Sequence, residues 1–157
     1  MEPHAVAPIL ARTLPPMRFA SLVDRSRPID FRGVWTQFGP AMKAQKGDLS
    51  KRRRAAVFQT AALGAPMDWY AASRVLEDGD AVAAPLEELR VPAGAFVTST
   101  YEGPYDGLGA AWGVFTERLT AAGHRLDPSR VCFEIYGGDE GAPKTELYVA
   151  VLQTEGC

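Results

Sequence analysis

The sequence predicts an α+β fold: two strand–helix–strand–strand units sharing one sheet system, with both helices on one face and a ligand cleft on the other. Three observations point to it. Two stretches carry an apolar stripe at helical spacing, Phe31, Val34, Trp35, Phe38 and Met42 in one, Leu108, Ala111, Trp112, Phe115 and Leu119 in the other. A shift of 77 residues lays one stripe on the other, Phe31 on Leu108, Trp35 on Trp112 and Phe38 on Phe115. At the same shift the strand-like flanks coincide: Phe19 of RFASLVD with Phe96 of FVTSTYE, AAVFQTAAL with CFEIYGG, and DWYAASRVL with TELYVAVLQ.

The elements follow in order. Residues 1–16 read as an N-terminal extension, 17–77 and 93–153 as the two halves of one domain, and 154–157 as a tail. Asp30 is placed to N-cap the first helix, and Gly39-Pro40 should kink it or end its regular part. Lys51-Arg52-Arg53-Arg54 reads as a solvated basic loop before the next strand. A crossover containing prolines and acids, Glu77 to Pro92, joins the halves. Gly103-Pro104-Tyr105 forms a turn that opens the second helix, where the missing proline N–H costs nothing. Asp106 is a candidate cap for that helix, and Gly123 supplies its C-terminal stop.

With 46% hydrophobic and 23% charged residues, the 157-residue chain is suited to one compact domain or two tightly packed halves. A formal net charge of −2 provides no global field for nucleic acid or an anionic membrane. Cys132 and Cys157, with His4 and His124, supply neither a disulfide framework nor a zinc site, and leave a Ser-His-Asp triad or haem ligation poorly provided. Gly137-Gly138 is too short and isolated for a phosphate loop, and no nucleotide motif is present. No metal or cofactor is expected. No apolar segment approaches transmembrane length, so a cytoplasmic location without membrane contact is the expectation.

One residue is out of place in this scheme. In CFEIY, Val131, Phe133 and Ile135 alternate with Cys132, Glu134 and Tyr136, so a charged side chain sits inside a strand that otherwise reads as buried. The alternation predicts Phe133, Ile135, Leu147, Val149 and Val151 toward the helices, with Glu134, Tyr136, Tyr148 and Tyr101 on the opposite face. A cleft walled by aromatics around one acid suits a small molecule. Tyr70 or Trp69 joins it, depending on a one-residue choice of register. Trp35 and Trp112 are first core residues of the helical stripes and second ligand contacts. The competing reading of Glu134 is a salt bridge to an arginine such as Arg74.

The stretch TSTYEGPYDGLGAAWGVFTERL, followed by CFEIY and TELYVAV, resembles the GyrI-like small-molecule-binding domain, the effector-binding domain of many AraC-type and MerR-type transcription regulators. VPAGAFV and Trp35-x-x-Phe38 extend the resemblance, which runs from about Met17 to Leu152. It implies a pseudo-symmetric pair of units around a cleft in which Glu134 engages cationic or polar aromatic ligands. Where the family often carries a histidine two residues before Gly-Pro-Tyr, this chain has Tyr101, which retains only a stacking role. Too few residues precede the first strand for a helix-turn-helix, so a stand-alone domain without direct DNA binding is expected. The expected function is binding of a small cationic or polycyclic aromatic ligand, as in drug or toxin sensing or sequestration. The alternatives the resemblance implies are a hydrolase that opens cyclopropane rings of genotoxic natural products, with Glu134 as the catalytic carboxylate directing water, and a modulator of DNA gyrase. A protein partner or a homodimer stays open.

Overall fold

The structure, a computed structural model, describes residues 5–139 and 141–152; His4, Cys157 and the proposed tail lie outside the described residues. Nine strands are present among them: β1 Ala5–Val6, β2 Leu10–Leu14, β3 Met17–Asp24, β4 Arg54–Gln59, β5 Trp69–Val75, β6 Glu87–Val91, β7 Gly94–Glu102, β8 Cys132–Asp139 and β9 Ala142–Ala150. Helix α1 spans Phe31–Lys43 and helix α2 spans Leu108–Ala121. The strands form one sheet in the order β1-β7-β9-β8-β4-β5-β3-β6, with β2 also on β7. All its pairings are antiparallel. Units β3-α1-β4-β5 and β7-α2-β8-β9 therefore meet at a β4–β8 seam, with mirrored strand orders on either side, and the two-unit α+β expectation holds. Among the described residues no helix is long and apolar enough to cross a membrane.

Three strands were not expected. Residues read as an extension form β1 and β2, both paired with β7, and β6 lies inside the stretch read as a crossover. These are edge strands. Their sequences, AV, LARTL and EELRV, are short or charged, as suits an edge that must not pair with another chain. Helix α1 begins at its expected cap, the Asp30 carboxylate accepting from the Gly33 N–H at 2.9 Å. It does not end at Gly39-Pro40 but runs on to Lys43, and the Pro40 carbonyl accepts from the Ala44 N–H. Asp106 caps nothing, because Tyr105–Gly107 form a separate 3-10 turn before α2, whose start has no side-chain cap. Gly123 does terminate α2, at φ +89, with its N–H on the Thr120 carbonyl and the His124 N–H on that of Leu119.

Both faces of the sheet are buried, and this reverses part of the expected arrangement. The helix side packs Val34, Phe38, Phe115 and Leu119 on Ala56, Phe58, Tyr70, Ala72, Val97, Tyr101, Leu147 and Val149. The other side is a core made by the curled sheet itself, including Phe19, Ala55, Val57, Phe96, Phe133, Ile135 and Tyr148. There Phe133 lies 5.3 Å from Phe19, 5.5 Å from Phe96 and stacked at 4.5 Å on Tyr148. Phe133 and Ile135 thus face away from the helices, while Glu134 and Tyr136 face toward them. The β8–β9 hairpin forces this: it closes with Asp139 opposite Ala142, so Phe133 pairs with Tyr148, and Glu134 with Leu147. Directly opposed residues share a face, so the faces expected for Phe133, Ile135, Glu134, Tyr136 and Tyr101 are corrected. The cleft opens on the helix side.

Candidate functional site

On the helix side one cross-strand row reads Ala72, Ala56, Glu134, Leu147, from β5 through β4 and β8 to β9. Two alanines beside the acid leave room that larger side chains would fill. The next residues along the strands on that face, Tyr70 and Phe58, close one end of the opening, and Tyr136 the other. Above lies the first half of α2, where Gly109 and Gly113 are four residues apart and an added Cβ at either meets nothing within 4 Å. The β4–β5 loop contributes Thr60, Leu63 and Met67. Together they enclose a cavity of about 810 Å³, with Glu134, Tyr70, Tyr136, Trp112, Phe58, Phe31 and Tyr105 on its walls. Phe31 and Tyr105 are 47% and 46% exposed, which makes them an aromatic rim at the mouth.

Glu134 is 7% exposed. Among the described residues no basic side chain forms an ion pair with it, and its Oε2 has no hydrogen-bond partner. Arg74, the partner of the competing reading, instead donates to the carbonyls of Ser50 and Arg52 at 3.2 and 2.8 Å. Burial pushes the Glu134 carboxyl up to about 7, with the Trp112 and Tyr136 side chains drawing it partway back. Burial, and then the nearby carboxylate, hold the Tyr136 hydroxyl well above its ordinary value. A polar chain leads outward, since the Trp35 indole N–H donates to the Tyr70 hydroxyl at 2.9 Å. An unpaired buried acid is costly, and a ligand that supplies a positive charge or a strong donor relieves that cost.

The structure brings Glu134, Tyr136, Tyr70 and Trp112 onto one cavity. Trp35 stands just behind it, its ring centre 6.0 Å from that of Tyr136. The register question is answered for Tyr70: Trp69 points to the other face and donates to Gln59 Oε1 at 3.1 Å. Tyr148 is also on that face, and its hydroxyl donates to Glu146 at 2.6 Å. Tyr101 shares the helix face but is fully buried, and its hydroxyl donates to the Pro104 carbonyl at 2.7 Å, holding the turn before α2. The sequence reading did not single out Phe31, Phe58 or Tyr105 as cavity residues. Phe31 heads its helical stripe, and nothing in the sequence marked it as rim rather than core. The Gly109/Gly113 pair was a legible signal, two glycines one turn apart inside a helix.

Comparison with known proteins agrees with this fold. The chain has the fold of the EcmrR C-terminal domain, with TM-score 0.69 and 19% identity, covering 93% of this chain and 98% of that one. It is similar to SAV2435, whose structure holds tetraphenylphosphonium, with TM-score 0.66, 14% identity and coverage of 92% and 93%. A hydrolase from Listeria innocua matches with TM-score 0.58, 15% identity and coverage of 93% and 92%. No curated protein matches the chain. The GyrI-like small molecule binding domain family matches residues 53–152, which include most of the cavity and its acid. The chain belongs to the GyrI-like small-molecule-binding domain family.

Proposed function

We propose that the protein binds an aromatic molecule bearing a positive charge or strong donor, held between the aromatic walls with that group against Glu134, as a sensor or sequestering agent in the cytoplasm. The observation that carries this reading is a buried carboxylate, without an ion-pair partner among the described residues, in an aromatic cavity of about 810 Å³. Ring faces attract cations by roughly 0.5–2 kcal/mol each, depending on desolvation. The tetraphenylphosphonium held by SAV2435 is a ligand of this class. Titration calorimetry with tetraphenylphosphonium tests the reading. Glu134→Gln keeps the shape and removes the charge; attraction between the carboxylate and a phosphonium centre about 6 Å away, at an effective dielectric of about 20, is about 3 kcal/mol, which predicts a loss of up to about hundredfold. Equal affinity for both proteins would remove Glu134 from the site.

A second reading has its own support. A carboxyl held at about 7 is poised to take or give a proton at neutral pH, and a protein of similar fold is described as a hydrolase. In this reading Glu134 directs water onto a cyclopropane carbon of a neutral, planar alkylating agent. Mass spectrometry of the water adduct separates the two: a hydrolase loses roughly 10²–10⁴-fold in turnover on Glu134→Gln with little change in KM, whereas a binder forms no adduct above the uncatalysed rate.

A further inference from the structure

Arg54, the first residue of β4, lies directly opposite Arg74 on β5. Like charges so placed repel, and neither arginine has a carboxylate within ion-pair distance among the described residues. Arg74 is fixed by its two backbone carbonyl acceptors, and its Nε is buried without a partner. Burial and then the charge of Arg54 weaken its hold on its proton. The preceding arginines are neutralised elsewhere, Arg52 by Asp80 at 2.7 Å and Arg53 by Glu146 at 3.2 Å on the other side of the sheet. Arg54, unlike these two, faces a hollow with no acid among the described residues that wall it.

That hollow, about 200 Å³, is walled by Arg54, Trp35, Tyr105, Leu108 and Tyr136 and shares the last three with the main cavity. The Arg54 Nη2 donates to the Tyr105 hydroxyl at 3.2 Å, and the guanidinium lies 6.0 and 5.8 Å from the ring centres of Tyr105 and Tyr136. A guanidinium on aromatic faces, with donors still free and a second positive charge behind it, is arranged to receive a planar anion.

We propose that this hollow is an anion subsite of the binding cleft, and that the ligand is an aromatic carboxylate whose acid group meets Arg54 while its other end faces Glu134. The subsite rests on the reading of the main cavity as the ligand site, and it adds that the ligand is charged at both ends. Two opposite charges without an ion-pair partner among the described residues, one at each side of Tyr136, give the ligand a fixed direction in the cleft.

Benzoate is the probe, titrated into the whole protein while the Trp35 indole N–H is followed by NMR. The expected result is a saturable shift whose dissociation constant rises at least tenfold in Arg54→Gln. Arg53→Gln, which removes the same charge from the other face, should leave it unchanged. Absence of a saturable shift in the folded wild type, or equal weakening by both substitutions, overturns the subsite and leaves Arg54 a residue that only stacks on its tyrosines. Tetraphenylphosphonium is titrated into the same samples. Phosphonium binding without a benzoate response overturns the subsite alone; a benzoate response without phosphonium binding overturns the cation reading, and with it the ligand's second charge, while the anion subsite stands.

Discussion

Glu134→Gln should make the protein more stable at alkaline pH and much less so in mild acid. The wild-type carboxyl titrates at about 7 in the folded chain, against 4.5 ordinarily. Below 4.5 it is protonated in both folded and unfolded chains and contributes no pH dependence. Between 4.5 and about 7 the folded chain holds a proton that the unfolded chain has lost, so stability falls as pH rises through this window. Above it the buried charge is fully present. At about 1.4 kcal/mol per pH unit, the rise from 4.5 to about 7 corresponds to about 3 kcal/mol. Glutamine is neutral throughout, so the stability difference between variant and wild type isolates this one group. Asp80 and Glu88, each held by arginine at about 2, titrate below the window and cancel in the difference. Urea denaturation of both proteins between about pH 4.5 and 8.5 should show the variant gaining about 3 kcal/mol relative to wild type across that range. A difference that stays flat with pH would refute the buried, unpaired carboxylate.

A cation bound against Glu134 must lower the pKa of its carboxyl, so affinity for tetraphenylphosphonium should rise with pH through about 7 and level off above it. Calorimetry at about pH 6 in two buffers of different ionisation heat should register a proton released on binding, and equal heats would count against it. Gly113→Leu should place a side chain in the open space above the cavity, abolishing phosphonium binding. The helix should gain about 0.5–1 kcal/mol, read as a higher Tm. Lost binding with a lowered Tm would mean misfolding rather than filling.

Much of the fold was legible because its strongest signals are local. The two helical stripes, the Asp30 cap and the Gly123 stop depend on residues within a turn or two of each other. Glu134 was legible as a buried acid for the same reason: its strand neighbours are apolar. The face it occupies was not. When both sides of a sheet are buried, apolar alternation no longer says which side carries the helices, and only the hairpin register, Glu134 opposite Leu147, decides it. The constant shift of 77 residues also misleads at the seam. It pairs Ala55 with Cys132, yet Ala55 packs in the sheet's own core and Cys132 beneath the helices. A one-residue slip between the units inverts every side chain of β8 relative to β4. Tyr148 was assigned to the cleft because the cleft was expected on the face away from the helices, where Tyr148 does lie, and Trp69 was left open against Tyr70 by a one-residue choice of register.

The seam itself sets the direction in which a ligand can lie. Trp112 of the second unit packs against Phe58 of the first at 5.5 Å, and Trp35 of the first packs against Tyr136 of the second at 6.0 Å. These two reciprocal pairs flank Ala56 and Glu134, which face each other across the β4–β8 pairing. A duplicated chain with identical halves would offer a guest two equivalent poses related by half a turn, and would not distinguish head from tail. Here one half presents a methyl group where the other presents a carboxylate, and Phe58 matches Tyr136 without its hydroxyl. The duplication provides an enclosure with twofold walls, and the divergence of these two positions gives it polarity.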